Sequence, residues 1–133
     1  MSRDCVQDIH EMHSKYGVRE VVSKFDANKL DTYLTFRANF LQEELNELKT
    51  ANNADDAVDA LIDLCVVAIG TLDAFGVDAY TAWDRVHKAN MNKEVGIKES
   101  RPNPLGLPDL IKPQGWTAPT HVDNVGLLEK IYD

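Results

Sequence analysis

Three glutamates crowd into five positions of the stretch FLQEELNELK, residues 40–49: Glu43, Glu44 and Glu47. At helical spacing they fall within an arc of about 100° on one face, with Leu41, Leu45 and Leu48 roughly opposite. Phe36 and Phe40 precede them on the same stripe, so the acids stand beside apolar side chains. A second acidic set lies in DAVDALIDLCVVAIGTL, residues 56–72. Asp56, Asp59 and Asp63 share a stripe about 60° wide. Apart from Thr71, the other residues from Ala57 to Leu72 are apolar or small.

A helix that is apolar on all sides is expected to be buried. A bare carboxylate there is costly, or gives up its charge by taking a proton. A metal ion removes the problem by supplying the compensating charge. An all-oxygen set suits Mg²⁺ or Mn²⁺ and not zinc. Because Mg²⁺ typically bridges carboxylates to phosphates, the implied ligand is a nucleotide or pyrophosphate. The plainer alternative is a set of solvated acids, with those at the helix start favoured by its dipole. It explains Asp56 well, Asp59 poorly and Asp63 hardly at all.

Basic counterparts come later. Asn90 and Lys93 fall on the Ala82–Val86 side of a helical stretch, where they suit phosphate oxygens. Lys93 equally suits a snorkelling role at the core edge. In IKPQGW, Lys112 stands between prolines with Trp116 close behind, which suits contact with a ligand or a neighbouring chain. HEMH at residues 10–13 is no zinc-protease motif, because His10 and His13 are three apart and not four. No phosphate-binding glycine loop and no nucleophile elbow occurs.

These residues need helices to hold them. A first helix is expected around 4–15, ended by Gly17, then a short helical or irregular piece through 18–28. Asp31 is expected to cap a second helix reaching about Thr50. A third runs from about Asp55 to Phe75, stopped by Gly76, and a fourth from an Asp78 cap to about Glu94. All five prolines lie from residue 99 onward, which suggests an extended arm, with a short last helix over 123–131. Short connections make the second and third helices antiparallel neighbours in an all-α bundle. With 133 residues the chain is expected to form a single domain, its core over about 20–96 and its arm over about 97–133. A net charge of −8 argues against nucleic acid or anionic membrane as partner. No apolar run is long enough to span a bilayer, and the first residues lack a signal peptide's apolar core. Cys5 and Cys65 show no metal spacing and suit the reduced thiols of a cytoplasm.

FRANFLQEELNELKTA, the third-helix segment, VHKANMNK and IKPQGWTAP together resemble the all-α nucleoside triphosphate pyrophosphohydrolases. These are the MazG-like and phosphoribosyl-ATP pyrophosphohydrolase-like proteins, and the likeness covers about residues 20–120. The E-x-x-E element is Glu44–Glu47, preceded by Glu43. The E-x-x-D element departs from the pattern: if Asp63 is its aspartate, Ala60 holds the glutamate position and Asp59 serves in its place, whereas Asp56–Asp59 would keep the spacing but shorten the gap between the two elements. The resemblance implies hydrolysis of a nucleoside triphosphate to monophosphate and pyrophosphate with Mg²⁺ or Mn²⁺. It implies that Glu44, Glu47, Asp59 and Asp63 hold metal, and that Glu43 takes the proton of the attacking water. Asn90, Lys93 and Lys112 would meet phosphates, and Phe36, Asn39, Phe40 and Trp116 the base. It also implies homodimers or homotetramers in a bacterial or phage-infected cytoplasm. The compact chain and its KPQGW segment resemble small phage members, including the MazZ-like group, and so lean toward (d)GTP. Two alternatives compete: a phosphoribosyl-ATP pyrophosphohydrolase of histidine biosynthesis, and a non-catalytic acidic regulatory module.

Overall fold

The computed structural model describes residues 3–100, 105–107 and 109–132. Helices dominate it, as expected of an all-α bundle: α1 (Cys5–Tyr16), α2 (Val18–Val22), α3 (Ala27–Lys49), α4 (Ala54–Ala74), α5 (Ala79–Met91) and α6 (Glu129–Tyr132). Two short strands, β1 (Glu94–Gly96) and β2 (Asp109–Ile111), complete it. The chain divides into two compact units, Met1–Ala79 with Asp123–Asp133, and Tyr80–Val122.

In the first unit each long helix begins on a side-chain cap. Asp4 accepts from the Gln7 N–H at α1, and Asp26 from the Lys29 N–H at α3. At α4 the Asn53 side chain accepts from the Asp56 N–H and also donates to the Asp56 carboxylate. Such caps contribute about 1 kcal/mol each. The α3 cap corrects the expectation that Asp31 starts this helix. Asp31 is an exposed interior residue, because the extended backbone at Asp26 already offers its oxygen one turn earlier.

The four residues between α3 and α4 return the chain on itself, and the two helices pack along their length. Helices α1 and α2 lie against α4, and α6 against α3. Leu30 and Phe75 are completely buried. Around Phe75, the Tyr33 ring lies tilted at 5.7 Å, and Phe25 meets Tyr33 edge-on at 6.1 Å. The C-terminal segment is locked to the same end of α4. Leu127 N–H donates to the Phe75 carbonyl, and the Asn124 amide bonds both the N–H and the C=O of Asp78. Gly126 makes this approach possible: its φ is 53°, and a Cβ there would run into the Phe75 carbonyl oxygen.

The expectation that α4 is buried all round is not met. Ala60, Val67, Gly70 and Ala74 are buried, but Val58, Leu61 and Ile62 are 61%, 50% and 57% exposed. α3 covers one side of the helix, and the opposite side of this apolar element faces outward.

In the second unit, α5 ends at Met91, three residues before the expected boundary, because Glu94–Gly96 pairs antiparallel with Asp109–Ile111. The register sets Val95 opposite Leu110. The expected arm is therefore in part a strand. Residues 101–104 and 108, which include three of its prolines, lie outside the described residues. Beyond β2, the Trp116 indole N–H donates to the Ala89 carbonyl of α5 (2.7 Å), and Arg85 donates to the Thr120 carbonyl. No described helix is long and apolar enough to cross a membrane.

Candidate active site

Antiparallel packing of α3 on α4 sets the second half of one against the first half of the other, which brings the two acidic stripes together. Glu44 is only 8% exposed, Asp63 is half-buried, and Glu43, Glu47 and Asp59 reach solvent. Burial raises the Glu44 pKa above its ordinary value; a side-chain hydrogen bond with Glu47 and the charges of Glu47, Asp63 and Asp59 push the same way. A hydrogen bond between two carboxyl groups needs a proton on one of them. Glu44 Oε2 is buried and has no hydrogen-bond partner among the described residues. Such an orphaned acceptor is costly unless something outside the chain answers it.

A cavity of about 260 Å³ opens beside this group, lined by Glu47, Thr50, Ala51, Asp56, Asp59 and Ala60. Asp56, which sequence reasoning explained by the helix dipole, thus serves the cap and also borders the cavity. Thr50 went unnoticed in the sequence; its hydroxyl donates to the Asn46 carbonyl, and the side chain ends the acidic face.

The donors are carboxylate oxygens that face one another without any basic residue among them. Hard divalent cations prefer such a set. Among the described residues, no three His, Cys, Asp or Glu side chains converge closely enough to form a finished ligand cage. Like charges spread apart, and a cation's field is what would draw them inward. The residues fit a hard cation by chemistry and by the orphaned Glu44 oxygen.

The other expected site residues fall into two groups. On α3, Phe36 is 61% exposed, Asn39 is exposed, and Phe40 is half-buried beneath the Arg37 guanidinium, 5.5 Å from its ring centroid. Asn90, Lys93, Lys112 and Trp116 belong to the second unit. There the Lys93 and Lys112 ammonium nitrogens lie 5.5 Å and 5.1 Å from the Trp116 ring centroid, and Asn90 is exposed.

His10 and His13 are absorbed by a different carboxylate. Their Nδ1–H groups donate to the two oxygens of Asp73 at 2.8 and 2.9 Å, and Arg19 adds a third contact at 2.9 Å. Burial pushes the Asp73 pKa up, but these bonds and the Arg19 charge outweigh it and hold the group below its ordinary value. This cluster ties α1 and α2 to α4.

Comparison with known proteins gives the family. No curated protein and no solved structure matches the chain. The family model described as phosphoribosyl-ATP pyrophosphohydrolase matches residues 18–90, more than half of the chain. The matched segment holds every carboxylate of the site, together with Asn90, and stops before Lys93. The chain accordingly belongs to the phosphoribosyl-ATP pyrophosphohydrolase family, within the MazG-like all-α pyrophosphohydrolases, and is a hydrolase acting on phosphoric anhydrides.

Proposed function

We propose that the protein hydrolyses a nucleoside triphosphate or deoxynucleoside triphosphate to the monophosphate and pyrophosphate, with Mg²⁺ or Mn²⁺ as cofactor. The observation that carries this reading is the buried, unpartnered Glu44 oxygen among the carboxylates of Glu47, Asp59 and Asp63. Glu44, Glu47, Asp59 and Asp63 would hold a divalent ion, which would supply positive charge to the triphosphate and to the leaving pyrophosphate. Glu43 is exposed on the same face, within reach of solvent, and accepts a proton from the attacking water. Asn90, Lys93 and Lys112 bind phosphate oxygens. Phe36, Asn39 and Phe40 offer a flat apolar surface with a polar edge, which suits a purine. Among purines we favour (d)GTP, on the likeness of the compact chain and its KPQGW segment to small phage enzymes.

The exposed Val58–Leu61–Ile62 surface of α4 supports association of copies into a dimer or tetramer, because apolar side chains grouped on one helix gain from being covered. We place the activity in the cytoplasm of a bacterium or of a phage-infected cell.

The family match favours a second reading, with phosphoribosyl-ATP as substrate. One assay separates the two. Purified protein is given each NTP and dNTP, and phosphoribosyl-ATP, with Mg²⁺ or Mn²⁺, and pyrophosphate release is measured. Release from (d)NTPs with the highest kcat/KM for dGTP or GTP supports the first reading in full. Turnover confined to phosphoribosyl-ATP replaces it, and no turnover of any substrate removes both.

A further inference from the structure

The second unit carries a charge problem opposite in sign to that of the carboxylates. In a chain of net charge −8, the ammonium groups of Lys93 and Lys112 lie within 5.5 Å of one point, the centre of the Trp116 ring. Among the described residues neither lysine has a carboxylate within salt-bridge distance, and each ammonium faces an aromatic ring instead. The ring itself is fixed: its N–H donates to the Ala89 carbonyl at 2.7 Å, and the Trp116 backbone N–H donates to the Pro113 carbonyl. The two lysines come from opposite sides of the β1–β2 hairpin, Lys93 just before β1 and Lys112 just after β2. Strand pairing thus brings together two cations that are distant in sequence.

We infer that Trp116 is a positioning residue that holds Lys93 and Lys112 as a two-pronged site for the phosphate chain of a pyrophosphate or nucleoside triphosphate. An indole face attracts both ammoniums but cannot neutralise them, and it restricts their motion before the anion arrives. Two cations confined around one ring repel each other, and an anion with charge spread over adjacent phosphates relieves that repulsion for both. This deepens the phosphate-binding role proposed above for the two lysines and rests on that reading. It gives Trp116 a task other than stacking on the base.

The test reads the indole directly. The chain has two tryptophans, and Trp83 is 70% exposed, so Trp83→Phe leaves Trp116 as the sole indole emitter at little structural cost. Sodium pyrophosphate, orthophosphate and a nucleoside triphosphate are each titrated into this variant in EDTA. We expect a saturable change in Trp116 emission with pyrophosphate and the triphosphate, and one at much higher concentration with orthophosphate. A response to the triphosphate at lower concentration identifies the substrate's tail as the ligand, and a response to pyrophosphate at lower concentration identifies the product. Lys93→Ala and Lys112→Ala leave the indole and its bond to Ala89 in place, and each should weaken binding about tenfold, the worth of one charge-assisted contact. In the full chain, Trp116→Leu should raise KM with little change in kcat, and Trp116→Phe, which keeps a ring face, should recover most of the loss.

Unchanged emission at millimolar pyrophosphate, or lysine variants that bind like the parent, would overturn the inference. The outcome is distinguishable from failure of the proposed reaction. A responsive Trp116 in a protein that hydrolyses no nucleotide leaves this anion site standing, and nucleotide hydrolysis with a silent Trp116 removes only this inference.

Discussion

Helix α4 carries two acidic regions that meet opposite fates. Near its start, Asp59 and Asp63 face Glu44 and Glu47 of α3, and the Glu44 pKa is raised. Ten residues beyond Asp63, about 15 Å along the helix, Asp73 receives bonds from His10, His13 and Arg19, and its pKa is lowered. At Asp73 helix polarity would favour the reverse, since carboxylates are unwelcome beside the C-terminal end of a helix. The partners therefore decide the matter. Asp73 has both carboxylate oxygens answered by the chain itself, which makes it a structural tie. Glu44 has an oxygen that no described group answers, and the proposed metal site rests on that oxygen.

The sharpest break of the comparison comes from Asp63 and Asp73. Asp63→Asn keeps the side chain's shape and removes a ligand charge, so turnover should fall at least about a hundredfold, the scale at which an electrostatic catalytic contact is lost. The far-UV circular dichroism should be unchanged. Asp73→Ala should do the converse. It strands Arg19 and the buried His13 and should cost about 2–3 kcal/mol of unfolding free energy, below the full penalty for a buried ion pair because water reaches Arg19 and His10. Folded Asp73→Ala should retain its kcat. Denaturant midpoints and single-substrate kinetics on both variants check the contrast; wild-type turnover in Asp63→Asn would end the assignment of that residue to the site.

Periodicity made the acidic site legible. Glu44, Glu47, Asp59 and Asp63 share stripes at helical spacing, and a short connection forces the two helices to lie side by side. The Asp73 cluster was not legible, because His10 and His13 lie 63 and 60 residues away from it in sequence and local spacing says nothing of such pairs. The strands were missed for a similar reason: each is three residues long, too short to show alternation, and only pairing across the intervening loop creates them. Asp31 drew the cap of α3 away from Asp26 because both are aspartates near the helix start, and only the backbone angles at Asp26 distinguish them. The outer side of α4 was read as buried because an apolar stripe records that a surface favours being covered without saying by what.

A smaller effect follows from adding metal. A cation that binds the folded protein and not the unfolded chain stabilises by about 2.7 kcal/mol at a concentration one hundred times its Kd. Millimolar Mg²⁺ or Mn²⁺ should therefore raise the Tm by several degrees, measured by differential scanning fluorimetry against an EDTA control. Glu44→Gln sharpens the contrast. Without metal it should melt above the parent, because one repelling charge is gone, and it should lose most of the rise on adding metal. An equal rise in parent and variant would detach the metal effect from this site.

The smallest effect is the pH dependence of the metal-free protein, where the two regions oppose each other. Glu44 has a folded-state pKa above its unfolded value near 4.5, so the folded form holds that proton more tightly. Its contribution is fully present below 4.5 and is lost as pH rises through the folded pKa. Asp73 has a folded-state pKa below 3.8, so its contribution is present above 3.8 and is lost as pH falls through the folded value. In EDTA, acidification from pH 7 toward 4.5 should therefore help the parent more than Glu44→Gln, narrowing the gap between their Tm values. Below about pH 4 both proteins should fall together as Asp73 is protonated, and Asp73→Ala should lack that last decline. Tm curves for the three proteins across pH 3–7 carry the test. A gap between parent and Glu44→Gln that stays constant as pH falls from 7 through 4.5 would show that Glu44 is ionised normally in the fold, and the contrast between the two ends of α4 would lose its acidic half.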